Sequence, residues 1–293
     1  MIRTYCELLD FPHEATESLC TTYSRLMTHP QAAKRLAAIH KDFLHSEGRS
    51  FLERLQELAD ETAIDRRELD MVFLLYAAPT LRDEYRKKGI DDAIFVDTLR
   101  DLRYKLMECF NNYGVWGTFV TFWYPGFYRC ERFALGRLQF ERRAFRQADY
   151  HGLLKEGDTV LNCHIPSSGP LTPASVIDSF KRSYAFYSDV KKGKLLPVVC
   201  NSWLLYPPLK DVFGTGNLKA FHEMFDVLSQ KADPANGDYW RVFDRPFSAD
   251  RLSDAPEDTG LRRRLKAFLQ DGNAMGSGYG VLLFDGERII KSF

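Results

Sequence analysis

The sequence predicts an α+β fold in two parts, an all-helical N-terminal domain followed by a domain with a mixed α/β sheet. In the first third, apolar residues recur at the three- and four-residue spacing of helices. Beyond it, strand-like segments alternate with helix-like segments. The character of the sequence changes at residues 111–114, so we place the helical domain at residues 1–114 and the mixed domain at residues 115–293.

The helical domain is expected to hold about five helices joined by short links, as in a bundle. One covers residues 13–29, and Pro30 opens the next, where a missing N–H costs nothing. Ser50 and Glu53 form a capping box at the start of a third. A fourth helix begins at residues 65–68. The fifth spans residues 90–111 as one long amphipathic helix.

In the mixed domain, aromatic and β-branched residues first dominate residues 116–124. Leu138 and Phe140 then alternate with Gln139 and Glu141, the pattern of a half-buried strand. Further strands are predicted at 158–165, 196–204, 239–243 and 279–284, helices after Thr172 and at 217–228 and 260–270, and a surface loop at 244–259.

Composition excludes several classes of protein. Lysine plus arginine and aspartate plus glutamate each number 40, so the chain lacks the basic surplus of a nucleic-acid-binding domain. The six cysteines form no close pair, and neither a metal site nor a disulfide framework is expected. No signal peptide or apolar run long enough for a membrane helix is present, so we expect a cytoplasmic protein without a membrane partner.

The segment from Thr159 to Arg182 is the most informative one for function. It is typical of a strand, a polar turn and a helix, with Thr172 as the N-cap and Pro173 at the first helical position. Unpaired N–H groups and the positive end of the helix dipole at such a turn suit a phosphate or pyrophosphate. The alternative is a well-capped crossover helix without a ligand.

This order of elements resembles the GNAT superfamily of N-acyltransferases, which use acyl-coenzyme A. Residues 116–141 and the segment Asn-Cys-His-Ile-Pro-Ser-Ser-Gly-Pro-Leu-Thr-Pro, residues 162–173, more narrowly resemble a bacterial family with a helical N-terminal domain and a GNAT-like C-terminal domain. The resemblance covers nearly the whole chain and implies transfer of an acyl group, such as acetyl, from acyl-CoA to a small-molecule amine. It implies that the pyrophosphate lies on backbone amides of Ser167, Ser168, Gly169, Leu171 and Thr172.

Acyl transfer to an amine needs a base that takes the ammonium proton and an acid that protonates the leaving thiolate. His164 is the first candidate base because the intrinsic pKa of histidine is near 6.5, although a buried structural histidine is the alternative. Glu141 is the second candidate base and would act through a water molecule. The alternative is a surface glutamate that forms an ion pair with Arg143. Tyr206 is the candidate acid, or else an aromatic packed on the following prolines.

Other features are open to more than one interpretation. Cys200 and Ser202 share one face of a strand, where either is a nucleophile for a double displacement or part of an inert core. The glycines of residues 276–280 lack a following helix, which favours a tight turn or close backbone approach over a dinucleotide site. The aromatic run at 119–128 either lines a cleft or wedges the two domains together. His222 is interpreted as a polar-face residue.

A second class of function stays open at this point. The usual pyrophosphate signature of the superfamily, glutamine or arginine followed by two spaced glycines, is absent, and residues 167–172 occupy its place. The C-terminal domain is therefore either an acyl-CoA-dependent acyltransferase or a catalytically inactive scaffold that binds a ligand or a partner protein.

Overall fold

The computed structural model describes residues 1–45, 50–235, 238–244 and 249–291. Its contacts divide the chain into two compact units, Met1–Phe133 and Ala134–Phe293. The first is helical and the second contains a mixed sheet, so the predicted α+β class is confirmed. The division falls after residue 133, whereas the sequence suggested residue 114.

The first unit is built around one central helix. Its eight helices among the described residues are α1 (Ile2–Leu8), α2 (His13–Met27), α3 (Pro30–His45), α4 (Ser50–Thr62), α5 (Arg66–Lys87), α6 (Asp92–Leu99), α7 (Asp101–Tyr113) and α8 (Pro125–Tyr128). Buried residues lie on every side of α5, as expected for a helix enclosed by its neighbours. Asp65 caps α5 by accepting a hydrogen bond from the Arg67 amide, so the predicted start at residues 65–68 is confirmed.

The prediction of one helix over residues 90–111 is wrong, because α6 and α7 meet at Arg100. There the Arg103 amide bonds to the Arg100 carbonyl, a three-residue spacing that ends one helix and starts another. Asp101, the first residue of α7, is buried and accepts a hydrogen bond from the Tyr124 hydroxyl at 3.0 Å. The break between the two helices therefore coincides with a long-range polar contact.

The aromatic run at residues 119–128 belongs to the helical unit. Tyr124 and Tyr128 are buried, and the Tyr128 hydroxyl donates to the Leu74 carbonyl in α5 at 2.5 Å. Pro125 and Gly126 open the short helix α8, so the β-typical composition of this segment does not produce a strand. Residues 115–133 therefore belong to the helical unit.

A buried carboxyl in α5 makes the stability of the protein depend on pH. Asp70 Oδ1 lies 2.5 Å from Arg66 Nε, and Oδ2 accepts from the Thr121 hydroxyl at 2.6 Å. Burial, opposed in part by Arg66, raises the pKa of Asp70 to about 6. The folded state therefore binds the proton more tightly than the unfolded chain does.

We expect this contribution to be fully present at about pH 4, lost as the pH rises toward about 6, and flat above it. Its size is on the order of 2–3 kcal/mol of unfolding free energy. Urea unfolding of the wild type and Asp70→Asn across this range measures it, since the difference between them should fall as the pH rises. A constant difference would contradict the assignment.

The second unit contains the main sheet. Its strands are β1 (Arg132–Leu135), β2 (Leu138–Ala144), β3 (Asp149–Tyr150), β4 (Leu154–Lys155), β5 (Thr159–His164), β6 (Leu196–Ser202), β7 (Asp226–Ala232), β8 (Gly276–Phe284) and β9 (Ile289–Ile290). Its α-helices are α9 (Pro173–Phe186), α10 (Asn217–His222), α11 (Trp240–Phe243) and α12 (Gly260–Gln270). The main sheet has the order β1-β2-β5-β6-β8-β7, with β9 on β8, while β3 and β4 form a separate hairpin. The β5–β6 pair is parallel and the β2–β5, β6–β8 and β7–β8 pairs are antiparallel.

Two predicted elements of this unit are wrong. The helix expected at residues 217–228 ends at His222, and the chain continues as β7, whose partner β8 begins more than 40 residues later. The strand expected at residues 239–243 is the short helix α11, in which the Tyr239 and Phe243 rings pack at the four-residue spacing of a helix. Residues 245–248 of the expected loop lie outside the described residues.

The two faces of the sheet have different covers. The face that we call the helix face packs on α9, where the Phe180 ring contacts Phe140 and Phe284. The face that we call the hairpin face carries an apolar core with the β3–β4 hairpin, formed by Phe145, Tyr150, Leu154, Val160, Val199, Tyr279, Val281 and Leu283. Both faces of β2 are therefore buried near its start, which corrects the half-buried pattern expected there.

The glycines of residues 276–280 lie within β8, so the final strand begins earlier than predicted. Gly276, Gly278 and Gly280 all face the helix face, where Leu205 and Tyr206 approach the strand. A Cβ at Gly278 would stand 2.0 Å from the Leu205 carbonyl oxygen. Close backbone approach, one of the two accounts drawn from the sequence, is the observed one.

Candidate active site

The parallel strands β5 and β6 pair over only part of their length. The register joins Leu161 to Val198 and Asn162 to Val199, while β5 runs on to His164 and β6 to Ser202. The carboxyl ends of two neighbouring parallel strands are therefore unpaired with each other. Ligands of open α/β sheets commonly bind at such ends.

A buried carboxylate meets a histidine on the hairpin face beside this point. In the β2–β5 register Glu141 lies opposite Asn162, and Gln139 lies opposite His164. Glu141 Oε1 is 2.7 Å from His164 Nε2 and 3.3 Å from Asn162 Nδ2. Glu141 is only 3% exposed, so the expectation of a surface glutamate is wrong, although its Oε2 does accept from Arg143 at 2.9 Å.

This contact suits His164 to the work of a general base. His164 Nε2 lies 2.7 Å from Glu141 Oε1 and 3.0 Å from Asn162 Nδ2. Because an ionised carboxylate only accepts hydrogen bonds, we assign the imidazole proton to Nε2, where it serves the shorter of the two contacts. The lone pair then lies on Nδ1, and a neighbouring carboxylate stabilises the imidazolium that forms when Nδ1 takes a proton. The ring is half-buried, held by strands rather than by a mobile loop. The sequence placed His164 and Glu141 as alternatives, and the structure brings them together.

Tyr206 lies apart from this pair. It follows β6 after a short 3-10 helix, Trp203–Leu205, and its ring packs against Gly276. Gly276 belongs to the helix face, whereas His164 lies on the hairpin face. The Tyr206 hydroxyl has no hydrogen-bond partner among the described residues. The role of Tyr206 as an acid stays a prediction.

The turn between β5 and α9 is held from one side by Arg137. Its guanidinium donates to the carbonyl oxygens of Pro166 at 2.7 Å, Gly169 at 2.8 Å and Pro170 at 3.2 Å. Arg137 lies in the turn between β1 and β2, about 30 residues away in sequence, and no local signal marks it. The carbonyl groups of the turn are therefore occupied by a cation.

The amides of the same turn are available to a ligand. Those of Ser168, Gly169, Leu171 and Thr172 donate to no hydrogen-bond acceptor among the described residues. Thr172 caps α9 by accepting from the Ser175 amide at 3.3 Å, which fixes the helix start that the sequence predicted. Together with Ser167, these are the residues for which the sequence predicts a pyrophosphate site, and amides at a helix start suit an anion. The site itself stays a prediction.

The remaining candidates are structural. His222 is buried, and its Nδ1 lies 2.8 Å from the Leu204 carbonyl, so its interpretation as a polar-face residue is wrong. A hydrogen bond with Cys200 and burial raise the pKa of Cys163 well above that of a free thiol. Cys200 is equally buried, and buried thiols of this kind are poor nucleophiles.

The described residues offer neither a cluster of metal ligands nor a helix that could span a membrane. No group of three or more histidine, cysteine, aspartate or glutamate side chains there could hold a metal ion. Nor is any described helix both long and apolar enough to cross a membrane.

Comparison with known proteins identifies both parts of the chain. A family model described as an N-acyltransferase N-terminal domain matches residues 1–130, and one described as a GNAT-like C-terminal domain matches residues 133–282. No curated protein matches the chain in sequence. A solved acyltransferase in complex with decanoyl-CoA and teicoplanin is similar over 95% of this chain and 86% of its own, with a TM-score of 0.74 and 20% identity. An acyltransferase in complex with decanoyl-CoA is similar over 96% and 98%, with a TM-score of 0.64 and 19% identity, and at these identities the likeness is one of fold.

Proposed function

The chain belongs to the family defined by the GNAT-like C-terminal domain, and from this membership we propose that it transfers an acyl group from acyl-CoA to an amine. The family resemblance predicted from the sequence is thereby confirmed. The observation that carries the activity is the buried Glu141–His164 pair beside the unpaired ends of β5 and β6. An inactive scaffold has no need of a desolvated carboxylate oriented on a histidine.

In this proposal the cofactor approaches from the helix face. The pyrophosphate lies on the amides of Ser167 to Thr172, at the start of α9, which packs on that face. The pantetheine arm then passes between the unpaired ends of β5 and β6 toward His164. Acyl-CoA as the co-substrate is supported by the similar acyltransferases, which were solved with decanoyl-CoA or octanoyl-CoA.

The reaction is a direct displacement at the thioester. The amine nitrogen attacks the carbonyl carbon, a C–N bond forms, and the C–S bond breaks to release the coenzyme A thiolate. His164 Nδ1 accepts the proton that the amine loses, and Glu141 stabilises the resulting imidazolium. The thiolate is protonated by an acid or by solvent. Tyr206 is the candidate acid from the sequence. We place the enzyme in the cytoplasm, where acyl-CoA is made and cysteines stay reduced.

Cofactor binding is the first step that can be measured. We expect acetyl-, octanoyl- or decanoyl-CoA to raise the melting temperature, because a ligand that binds only the folded state stabilises it. Gly169→Ala should weaken that binding about tenfold or more, since Gly169 has φ +105°, a conformation that side chains disfavour.

Gly157→Ala is the matched control, because Gly157 has φ +87° and equally open surroundings but lies outside the turn. Calorimetric titration of the two variants gives the affinities. If no acyl-CoA produces a thermal shift or heat, the enzyme proposal fails and the inactive ligand- or partner-binding scaffold is favoured. If both variants bind like the wild type, the pyrophosphate lies elsewhere.

A further inference from the structure

A polar cleft of about 190 Å³ opens on the hairpin face, away from the pyrophosphate turn. The side chains that line it include two cations, Arg146 and Lys231, and neutral hydrogen-bonding groups such as Asn201, Ser229 and Ser277. None of the described residues that line it is a carboxylate. The cleft therefore presents positive charge without an internal counter-ion.

Both cations are unpaired within the described parts of the chain. Neither Arg146 nor Lys231 makes a hydrogen bond or ion pair from its side chain there. Other arginines of this unit behave differently, since Arg142 forms a two-pronged pair with Asp189, and Arg262 one with Asp258. An arginine and a lysine that converge on one cleft suit an anionic group.

The floor of the cleft carries an unsatisfied hydroxyl. Tyr279 is 8% exposed, and its hydroxyl oxygen is buried. The backbone amide of Arg146 approaches this oxygen, but no described residue meets the geometry of a hydrogen bond to it. The Tyr279 ring packs on Phe145 in the apolar core, so the hydroxyl end lies at the lining of the cleft. A buried hydroxyl without a hydrogen-bond partner is unfavourable, and a ligand oxygen in the cleft would supply that partner.

The cleft adjoins the Glu141–His164 pair. Asn201 lies two residues beyond Val199 on β6, as His164 lies two beyond Asn162 on β5, so the two side chains share one face at one level. Asn201 is paired with Tyr279, and Tyr279 with Ser229. Two paired-strand spacings would separate His164 from Tyr279 by about 10 Å, and because the ends of β5 and β6 are unpaired, this value is a lower bound.

We propose that this cleft holds the anionic end of the acyl acceptor, a primary amine that carries a carboxylate or phosphate about 10 Å or more from its nitrogen. The inference rests on the proposed acyl transfer at His164. Arg146 and Lys231 neutralise the anion, the Tyr279 hydroxyl donates to it, and the amine at the other end reaches His164. The acceptor class is then an ω-amino acid, a short peptide or an amino phosphate.

A panel of matched amines tests the charge preference. Turnover with octanoyl-CoA is followed by thiol release for 8-aminooctanoate, 8-aminooctanamide and 8-aminooctyl phosphate. We expect kcat/KM for at least one anionic amine to exceed that of the amide about tenfold or more. Comparison of the two anionic amines separates carboxylate from phosphate. Equal values for all three amines would overturn the proposal while leaving acyl transfer intact.

Variants assign the preference to the cleft. Arg146→Gln and Lys231→Met should each raise KM for the anionic amine about tenfold and leave its kcat within a factor of about three. Lys155→Met, which removes an exposed lysine outside the cleft, is the matched control. Tyr279→Phe should raise the same KM. If Tyr279→Phe only stabilises the fold and leaves KM unchanged, the hydroxyl does not bind the acceptor.

A binding measurement keeps this inference separate from the proposed function. Chemical shifts of the amides of residues 229–231 and 277–279 are recorded while 8-aminooctanoate or its amide is added without acyl-CoA. Shifts caused by the carboxylate alone, and lost in Arg146→Gln, would support the cleft even in a protein that never turned over. Absence of any such difference would overturn it, whatever the outcome with acyl-CoA.

Discussion

His164→Ala is expected to lower kcat for acyl transfer by about 10²–10⁴-fold while leaving the Kd of acyl-CoA near its wild-type value. The reason is that His164 holds the proton acceptor, whereas the proposed cofactor contacts are backbone amides on the other side of β5. Initial rates and calorimetric titration measure the two quantities. His151→Ala, which removes an exposed histidine of the same unit, is the matched control.

Glu141→Gln adds a signature that a structural role would not produce. The amide keeps the shape of the side chain but removes the charge that stabilises protonated His164, so the pKa of the imidazole should fall. The acidic limb of the kcat/KM profile should therefore move to lower pH, with a smaller loss of kcat than in His164→Ala. An active His164→Ala enzyme would remove the base from our mechanism.

Gly278→Ala is expected to destabilise the protein by about 3 kcal/mol or more, or to prevent folding. The new methyl group would stand 2.0 Å from the Leu205 carbonyl oxygen, and backbone on both sides of the contact would have to move. β8 lies between β6 and β7, so the displacement would disturb two strand pairs.

Urea unfolding followed by circular dichroism gives the free energy of unfolding for comparison with Gly216→Ala. Gly216 has φ −92° and nothing within 4 Å of an added Cβ. Because it is the N-cap of α10, this control should cost only the loss of a glycine cap, about 1 kcal/mol or less. A loss below about 1 kcal/mol for Gly278→Ala would show that the segment at Leu205 yields easily.

Elements with local signals could be predicted from the sequence. Thr172 and Pro173 mark the start of α9, and Asp65 marks that of α5, because capping involves residues only two or three positions apart. β7 could not be predicted in this way. Its hydrogen bonds go to β8, and its own residues are polar enough to be mistaken for a continued helix.

In the candidate site, too, features set by neighbouring residues could be predicted, whereas contacts between residues distant in sequence could not. The alternation of side chains along a strand is enough to put His164 and Asn162 on one face of β5. The burial of Glu141 required the β2–β5 register, which joins residues 23 positions apart. Arg137 and the cleft residues Arg146 and Lys231 come from separate strands or turns, so their convergence is a property of the sheet order.

The unpaired ends of β5 and β6 have a consequence for the order of events in the proposed reaction. With the pyrophosphate turn toward the helix face and the acceptor cleft on the hairpin face, each substrate has its own entrance. Neither has to leave before the other arrives, and the buried Cys163 and Cys200 thiols are poorly suited to carry the acyl group in between. Both substrates can occupy the protein together, so the acyl group crosses the sheet in a single ternary complex.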